Sequence, residues 1–400
     1  LSSPRAEKLL LNYWKIDATT GDTFLRAEVQ ADPNLIDVFI AKGKPRKFYR
    51  RVWKHFEWSD TLPELDINKL AFDKTNPERT GAHLALDACV NAKDLTYRGE
   101  HLDMLSGNVQ LDIPAKAVVS DLHAAVGSQS IDGNLLFRFK GRNELHFELS
   151  GITDPAMFGR MFLEDPGKTF HHIQFPDDTR MKAEGDVSLV GRSEPALTCE
   201  LNSDRCRILG FPFDNVGLQY AMRGTRFRWH FSEGELHGGR FRSYGTYDLF
   251  QHLGSAFLSV EDTDTGKLVA DMSEKKSRKA SHAPWGKLSG RVLVLLAKRA
   301  ADTPFLLWGD GRMSLSEANL ASLPILKTLG ERLGIRALGT ISKLDAPLEF
   351  NGDHLYVPAF TTNGTILSLE GSGRYRWASQ RLAFNVMGNA LKATKIIPWL

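Results

Sequence analysis

Four hundred residues leave room for two or three ordinary domains or for one array whose core runs along its length. A charged fraction of 25% beside 42% hydrophobic residues excludes a disordered or collagen-like chain, and 51 basic against 48 acidic side chains, a net charge of +3, exclude an overall field that would gather nucleic acid. Cys89, Cys199 and Cys206 are too few for a disulfide framework and contain no Cys-x-x-Cys pair; they read as small buried hydrophobes, and a Cys199 to Cys206 bridge requires a tight hairpin between them.

The opening stretch LSSPRAEKLLLNYWKI lacks the basic start, long apolar middle and cleavage site of a secretory signal, so the chain is expected to be a fragment whose address label lies upstream. The longest clean apolar run, Val292 to Ala297, is far short of a membrane span. Asp32-Pro33 places an N-cap acid before a first-turn proline and predicts a short helix carrying Leu35, Ile36 and Phe39. Next comes a run of Lys44, Arg46, Lys47, Arg50, Arg51 and Lys54, interleaved with Phe48, Tyr49, Trp53, Phe56 and Trp58. Such a segment suits a solvated helix packing its aromatics on a sheet end. It also suits an anionic membrane surface, for which Lys47, Arg50, Arg51, Trp53 and Lys54 are the candidates.

From there period-two alternation dominates, the mark of strands with one dry and one wet face. Leu84, Leu86, Ala88 and Val90 alternate with polar or small residues, Leu145, Phe147 and Leu149 with His146 and Glu148, and Phe227, Trp229 and Phe231 with Arg228 and His230. Tyr375 and Trp377 face away from Arg374 and Arg376, and Leu382, Phe384 and Val386 from Ala383 and Asn385. Turns are expected at Asp132-Gly133, Lys140 to Asn143, Glu233-Gly234, Gly309 to Gly311, Asn351-Gly352, Asn363-Gly364 and Gly371 to Gly373, giving antiparallel hairpins. Helical spacing returns after Asp154-Pro155, with Met157, Phe158, Met161 and Phe162, and over 316–333, where Leu320, Leu323, Leu326, Leu329 and Leu333 share a side. The run from Glu274 to Lys279 reads as a solvated loop.

So few helices cannot cover so many strands. Their apolar faces must be hidden by another sheet, by the same sheet curling round, or by something that is not protein. Phe137, Phe139, Phe147, Phe227, Trp229, Phe231 and Phe384 are the large candidates for lining an apolar groove, and a closed sandwich core uses the same pattern. Catalytic motifs are absent: there is no H-E-x-x-H, G-x-S-x-G or P-loop. The adjacent His171 and His172 near Asp177 and Asp178 point opposite ways on an extended segment, so a polar loop is expected there and no metal.

Residues 86–111 align without gaps on 197–222, matching Leu86 with Leu197, Asn91 with Asn202, Gly99 with Gly210 and Asp103 with Asp214. A second pattern, a strand followed by a break and a short apolar segment, recurs in TFLRAEVQADPNLIDVFI, ELHFELSGITDPAMFGRMF and RLAFNVMGNALKATKIIPWL. Together they divide the chain into 1–60, the end of a preceding repeat; 61–180 and 181–285, two β repeats; and 286–400, a closing β repeat with the helix.

These strand-turn-strand units, with the closing GDGRMSLSEANLASLPILKTLGERLG and ISKLDAPLEFNGDHLYVPAFTTNGTILSLEGSGRYRW, resemble the AsmA-like family of bacterial envelope proteins, whose relatives include TamB and YhdP. The resemblance implies a mainly β fold, an elongated repetitive antiparallel sheet curled into an open groove, β-taco or solenoid-like, with a few short capping helices. It further implies a non-enzymatic periplasmic protein, anchored to the inner membrane through a segment outside this chain, that binds or conducts phospholipid in intermembrane lipid transport or outer-membrane assembly. No cofactor and no nucleic acid are expected; phospholipid or acyl chains are the expected ligand, with a membrane surface and other envelope proteins as further partners. The other reading of the same residues is a periplasmic or extracellular β-sandwich scaffold that binds glycans or proteins.

Overall fold

The computed structural model describes residues 6–16, 23–31, 55–59, 61–73, 83–113, 115–139, 144–155, 157, 173–188, 195–208, 210–273, 286–299, 303–319, 340–364, 367–377, 379 and 381–390. The fold is mainly antiparallel β: 22 strands belong to one hydrogen-bonded sheet, with one helix among the described elements. Two compact units divide the chain, Leu1–Ser203 with Ala221–Gly224, and Asp204–Tyr220 with Thr225–Leu400.

The first unit holds β1 (Ala6–Ile16), β2 (Thr23–Ala31), β3 (Phe56–Trp58), β4 (Glu64–Asp73), β5 (His83–Tyr97), β6 (Glu100–Ile113), β7 (Lys116–Val126), β8 (Gln129–Arg138), β9 (Glu144–Ile152), β10 (Ile173–Gln174), β11 (Arg180–Ser188) and the start of β12 (Ala196–Ile208). The second holds most of β13 (Phe211–Arg223), then β14 (Arg226–Leu236), β15 (Gly239–Asp248), β16 (Leu253–Asp264), α1 (Thr265–Ser273), β17 (Lys287–Ala297), β18 (Leu306–Asn319), β19 (Thr340–Gly352), β20 (His354–Gly364), β21 (Leu367–Arg376) and β22 (Arg381–Ala390).

Register explains why the alternation matters, because residues directly opposite on paired strands point to the same side of the sheet. In the first unit, pairing aligns Leu11, Ala27, Ile67, Ala88, Val109, Val119, Leu135, Phe147, Gly185 and Leu197 in one row. The adjacent row, on the other side, begins Glu28, Asp66, Cys89, Asn108 and Ser120. In the second unit the row Trp229, Gly245, Ala256, Val294, Gly309, Phe350, Leu355, Tyr375 and Leu382 crosses β14 to β22 without a charge.

Packing follows these rows. Leu65, Ile67, Leu86 and Ala88 form a buried cluster with Val29, Leu70, Val90 and Leu111, all from neighbouring strands. Ala346, Leu348 and Val357 do the same with Val292, Met313, Leu344, Phe350, Leu355 and Phe360. Each Val, Leu or Ile hidden this way contributes about 1.5–3 kcal/mol.

Several expectations change. Gly133 lies within β8, Gly234 within β14, Gly309 and Gly311 within β18, and Gly371 and Gly373 within β21, so these are strand interiors and not turns. A Cβ on Gly309 would meet the Leu293 carbonyl, and one on Gly371 the Phe360 ring; the glycines are there for close approach. The tight turns fall instead at Arg98-Gly99 and His237-Gly238, where both residues have positive φ (53° and 84°, 51° and 78°), the signature of a two-residue hairpin. Gly210 has the same left-handed backbone as Gly99 (φ 89° against 84°), so the two aligned segments carry their matched glycine at the same point between two strands. Residues Ser316 to Asn319, expected to open a helix, instead close β18, paired with β19; the rest of that expected helix lies outside the described residues. Cys199 and Cys206 both lie on β12, with no hairpin between them, and all three cysteines are free. Pro155 and Met157 are helical as expected; the Asp32-Pro33 helix, the loop from Glu274 to Lys279, His171 and His172 lie outside the described residues.

Candidate functional site

Each unit presents one continuous apolar side, and the groove candidates all sit on it. In the first unit Phe137 pairs with Ala117 and Leu145, Phe147 pairs with Leu135 and Gly185, and Phe139, just past β8, packs against buried Leu84 and Ile113. Phe147 is itself buried and forms part of the wall rather than its surface.

In the second unit Phe227, Trp229 and Phe231 stand at successive positions of the apolar side of β14. Phe231 is buried in a three-ring cluster, 5.8 Å from Phe213 and 5.4 Å from Phe241, which anchors one end of the wall. Trp229 lies across Gly245 of the next strand, so close that a Cβ there would strike its ring. Its indole Nε1–H donates to Ser243 Oγ at 3.0 Å, which satisfies the one polar atom that an apolar wall would otherwise strand. Phe227 stacks on it at 6.0 Å. The same device recurs farther along: the Phe384 ring covers Gly373, and Phe360 covers Gly371. Glycine removes the side chain beneath, and the ring lies down as a smooth surface.

The wall is open in places. Phe384 is 48% exposed, Leu382 63% and Leu258 39%, although all three point to the apolar side. The clusters and ring pairs of this side join neighbouring strands or a strand with the chain segment at its end, as where Phe305, ahead of β18, meets Tyr247 of β15 at 5.7 Å. No second sheet is present among the described residues.

Titratable groups keep to the other side. His123 meets Asp132 at 2.6 Å, and His146 lies between Asp186, 3.0 Å away, and Glu148, 3.4 Å away. Burial alone would lower the His146 pKa, but hydrogen bonds to the two carboxylates and their charges outweigh it, holding the imidazole above its usual 6.5. Asp103 accepts from the Gly127 backbone N–H at 2.6 Å, which, with a smaller contribution from His101, keeps its carboxyl below the usual range despite the opposing effect of desolvation. Among the described residues no group of three or more His, Cys, Asp or Glu side chains could hold a metal ion. These pairs link neighbouring strands across the wet face and leave no charge on the dry one.

The membrane-surface candidates Lys47, Arg50, Arg51, Trp53 and Lys54 lie outside the described residues. What sequence reasoning missed is the pairing of rings with glycines on the next strand. Its signal was a glycine at an apolar parity position, as at Gly245, Gly371 and Gly373. No family profile, curated protein or solved structure matches the chain.

Proposed function

We propose that this chain is a non-enzymatic envelope protein that binds or conducts phospholipid acyl chains along the apolar side of its sheet, in lipid transport between membranes or in outer-membrane assembly. One observation carries the reading: a row that crosses β14 to β22 with no charged residue, set against a single sheet and not a sandwich. Each methylene taken from water is worth about 0.8 kcal/mol, so a sixteen-carbon tail needs about 12 kcal/mol of shelter to leave a bilayer without penalty. A tail is about 15 Å long, half of a ~30 Å hydrocarbon core, and strands lie ~4.8 Å apart, so three or four strands of such a wall match one tail.

The test uses alternation itself. A photoreactive phenylalanine analogue placed singly at Phe227, Arg228, Trp229 and His230 in a bacterial host is irradiated, and adducts are identified by mass spectrometry. Lipid adducts are expected at 227 and 229 and not at 228 and 230. Adducts at neither pair, or at both equally, would remove the acyl-chain reading.

A further inference from the structure

The polar side of the second unit carries an anomaly. On β15 to β18 two of its rows are apolar: Tyr244, Phe257 and Leu293 stand side by side, and in the next row Leu295 stands beside Trp308. Tyr244 is 52% exposed, Leu293 54% and Leu295 61%, and Tyr244 stacks on Phe257 at 4.7 Å, so the rings are held flat against the sheet with their outer faces in water. Four strands at ~4.8 Å and two rows ~7 Å apart make this a patch of about 300 Å², the size at which exposed apolar surface on a soluble protein begins to signal a partner.

The row on the patch's other flank is Arg242, Ser259, Arg291 and Arg312, one residue from each of the same four strands. All three arginines are exposed, and none is in an ion pair among the described residues. Acids stand only at the margin: Asp310 and Glu349 continue the Leu293 row, and Glu261 is held by Arg240 at 3.4 Å. Unpaired guanidinium groups lining one edge of a leucine and aromatic patch match a membrane interface, where anionic headgroups meet the cations while aliphatic and ring carbons enter the acyl boundary.

We infer that this face of β15 to β18 docks on anionic lipid bilayers. It lies on the opposite side of the sheet from the proposed acyl-chain wall, so it holds the protein against a membrane without occupying that wall. A single-stranded nucleic acid would want a ring for each successive base, whereas the two most exposed positions, Leu293 and Leu295, offer none; hydrocarbon is what they complement.

The experiment is co-sedimentation of the full chain with vesicles of phosphatidylcholine, and of phosphatidylcholine containing one-third phosphatidylglycerol. Binding is expected to the anionic vesicles and to fall as salt is raised. Each arginine near an anionic surface is worth about fivefold, so Arg242→Gln, Arg291→Gln and Arg312→Gln together should weaken binding on the order of 100-fold, and Leu293→Ser with Leu295→Ser on the order of tenfold. Because all five side chains are exposed, circular dichroism should show the variants folded; any that is not is replaced by Arg→Lys at the same positions, which should restore vesicle binding. A Trp229→Glu variant, aimed at the acyl-chain wall, should keep vesicle binding, so that the two sites fail separately. Equal binding to neutral and anionic vesicles, unchanged binding by the folded arginine variant, or tighter binding of oligo-dT through the same residues would overturn the inference.

Discussion

Substituting Gly245 tests the architecture of the apolar wall at its tightest point. In Gly245→Ala the new Cβ would lie 2.3 Å from Trp229 Cζ2 and 2.4 Å from the Ser255 carbonyl oxygen, well inside any contact that real Cβ atoms make. The carbonyl belongs to the neighbouring backbone and yields only if β16 moves; the indole can rotate away, but then it gives up its 3.0 Å hydrogen bond to Ser243 Oγ. Overpacking of this kind costs about 1–3 kcal/mol and the lost hydrogen bond about 0.5–1.5, so the variant should be destabilised by about 2–4 kcal/mol. Urea unfolding read by circular dichroism measures that figure, and a double-mutant cycle apportions it. With Trp229→Leu already in place, the ring's share disappears while the Ser255 share remains, so Gly245→Ala should cost at least about 1 kcal/mol less in that background. A cost below about 0.5 kcal/mol, or full additivity of the two substitutions, would refute the claim that the ring lies on the glycine.

Burial, with a smaller contribution from Asp214, pushes the Cys206 thiol up to about 12 from an ordinary value near 9, so its thiolate is about 1000-fold scarcer than usual; native-state alkylation followed by mass spectrometry should leave Cys206 unmodified until denaturant is added. The raised His146 pKa makes its ion pairs a stabilising contribution that is fully present below the ordinary value of 6.5 and lost as pH rises through the raised folded value. His146→Gln should therefore lower the urea midpoint in mildly acidic buffer and leave it nearly unchanged in alkaline buffer; a difference that grows with pH would reverse the assignment. The photocrosslinking and vesicle experiments add an odd-even pattern of lipid adducts on β14 and salt-sensitive binding through Arg242, Arg291 and Arg312.

Alternation made the dry side legible because strand geometry leaves no choice. Once Leu145, Phe147 and Leu149 share a face, their partners Leu135 and Gly133 must share it too, and the register bears this out. The places where reading failed are those where a local signal has two physical causes. Gly133 and Gly309 carry φ values of 158° and 151°, which suit a glycine in an extended strand crossed closely by its neighbour; from sequence the same residue reads as a turn. Bulges hide for a related reason. Asp94, Asp121, Asn215, Asp262 and Glu317 take left-handed φ near 50–57°, and around Asp94 the alternation slips by one, so that Ala92 and Leu95, three apart, are both buried. A short polar side chain in a run of strand residues does not announce that slip. The leucines 316–333 misled because helical and strand spacings coincide over the few residues at the end of β18.

The run Val292 to Ala297 carries the sharper lesson. Judged by length it is too short to span a bilayer, and in the sheet it is one strand, β17. A strand, however, distributes consecutive residues to opposite sides, so a run apolar at every position must place half of its side chains on the wet face. Val292, Val294 and Leu296 join the dry wall, while Leu293 and Leu295 stand 54% and 61% exposed beside the Tyr244–Phe257 stack. In a sheet with a polar outer face such a strand is tolerated only if something other than water meets that face for part of the time. The arginine row beside it, drawn from the same four strands, gives that something a negative charge. The two faces thus divide the task of handling lipid: uncharged rows on one side suited to single acyl chains, and a basic, leucine-bearing patch on the other suited to the surface from which such chains come.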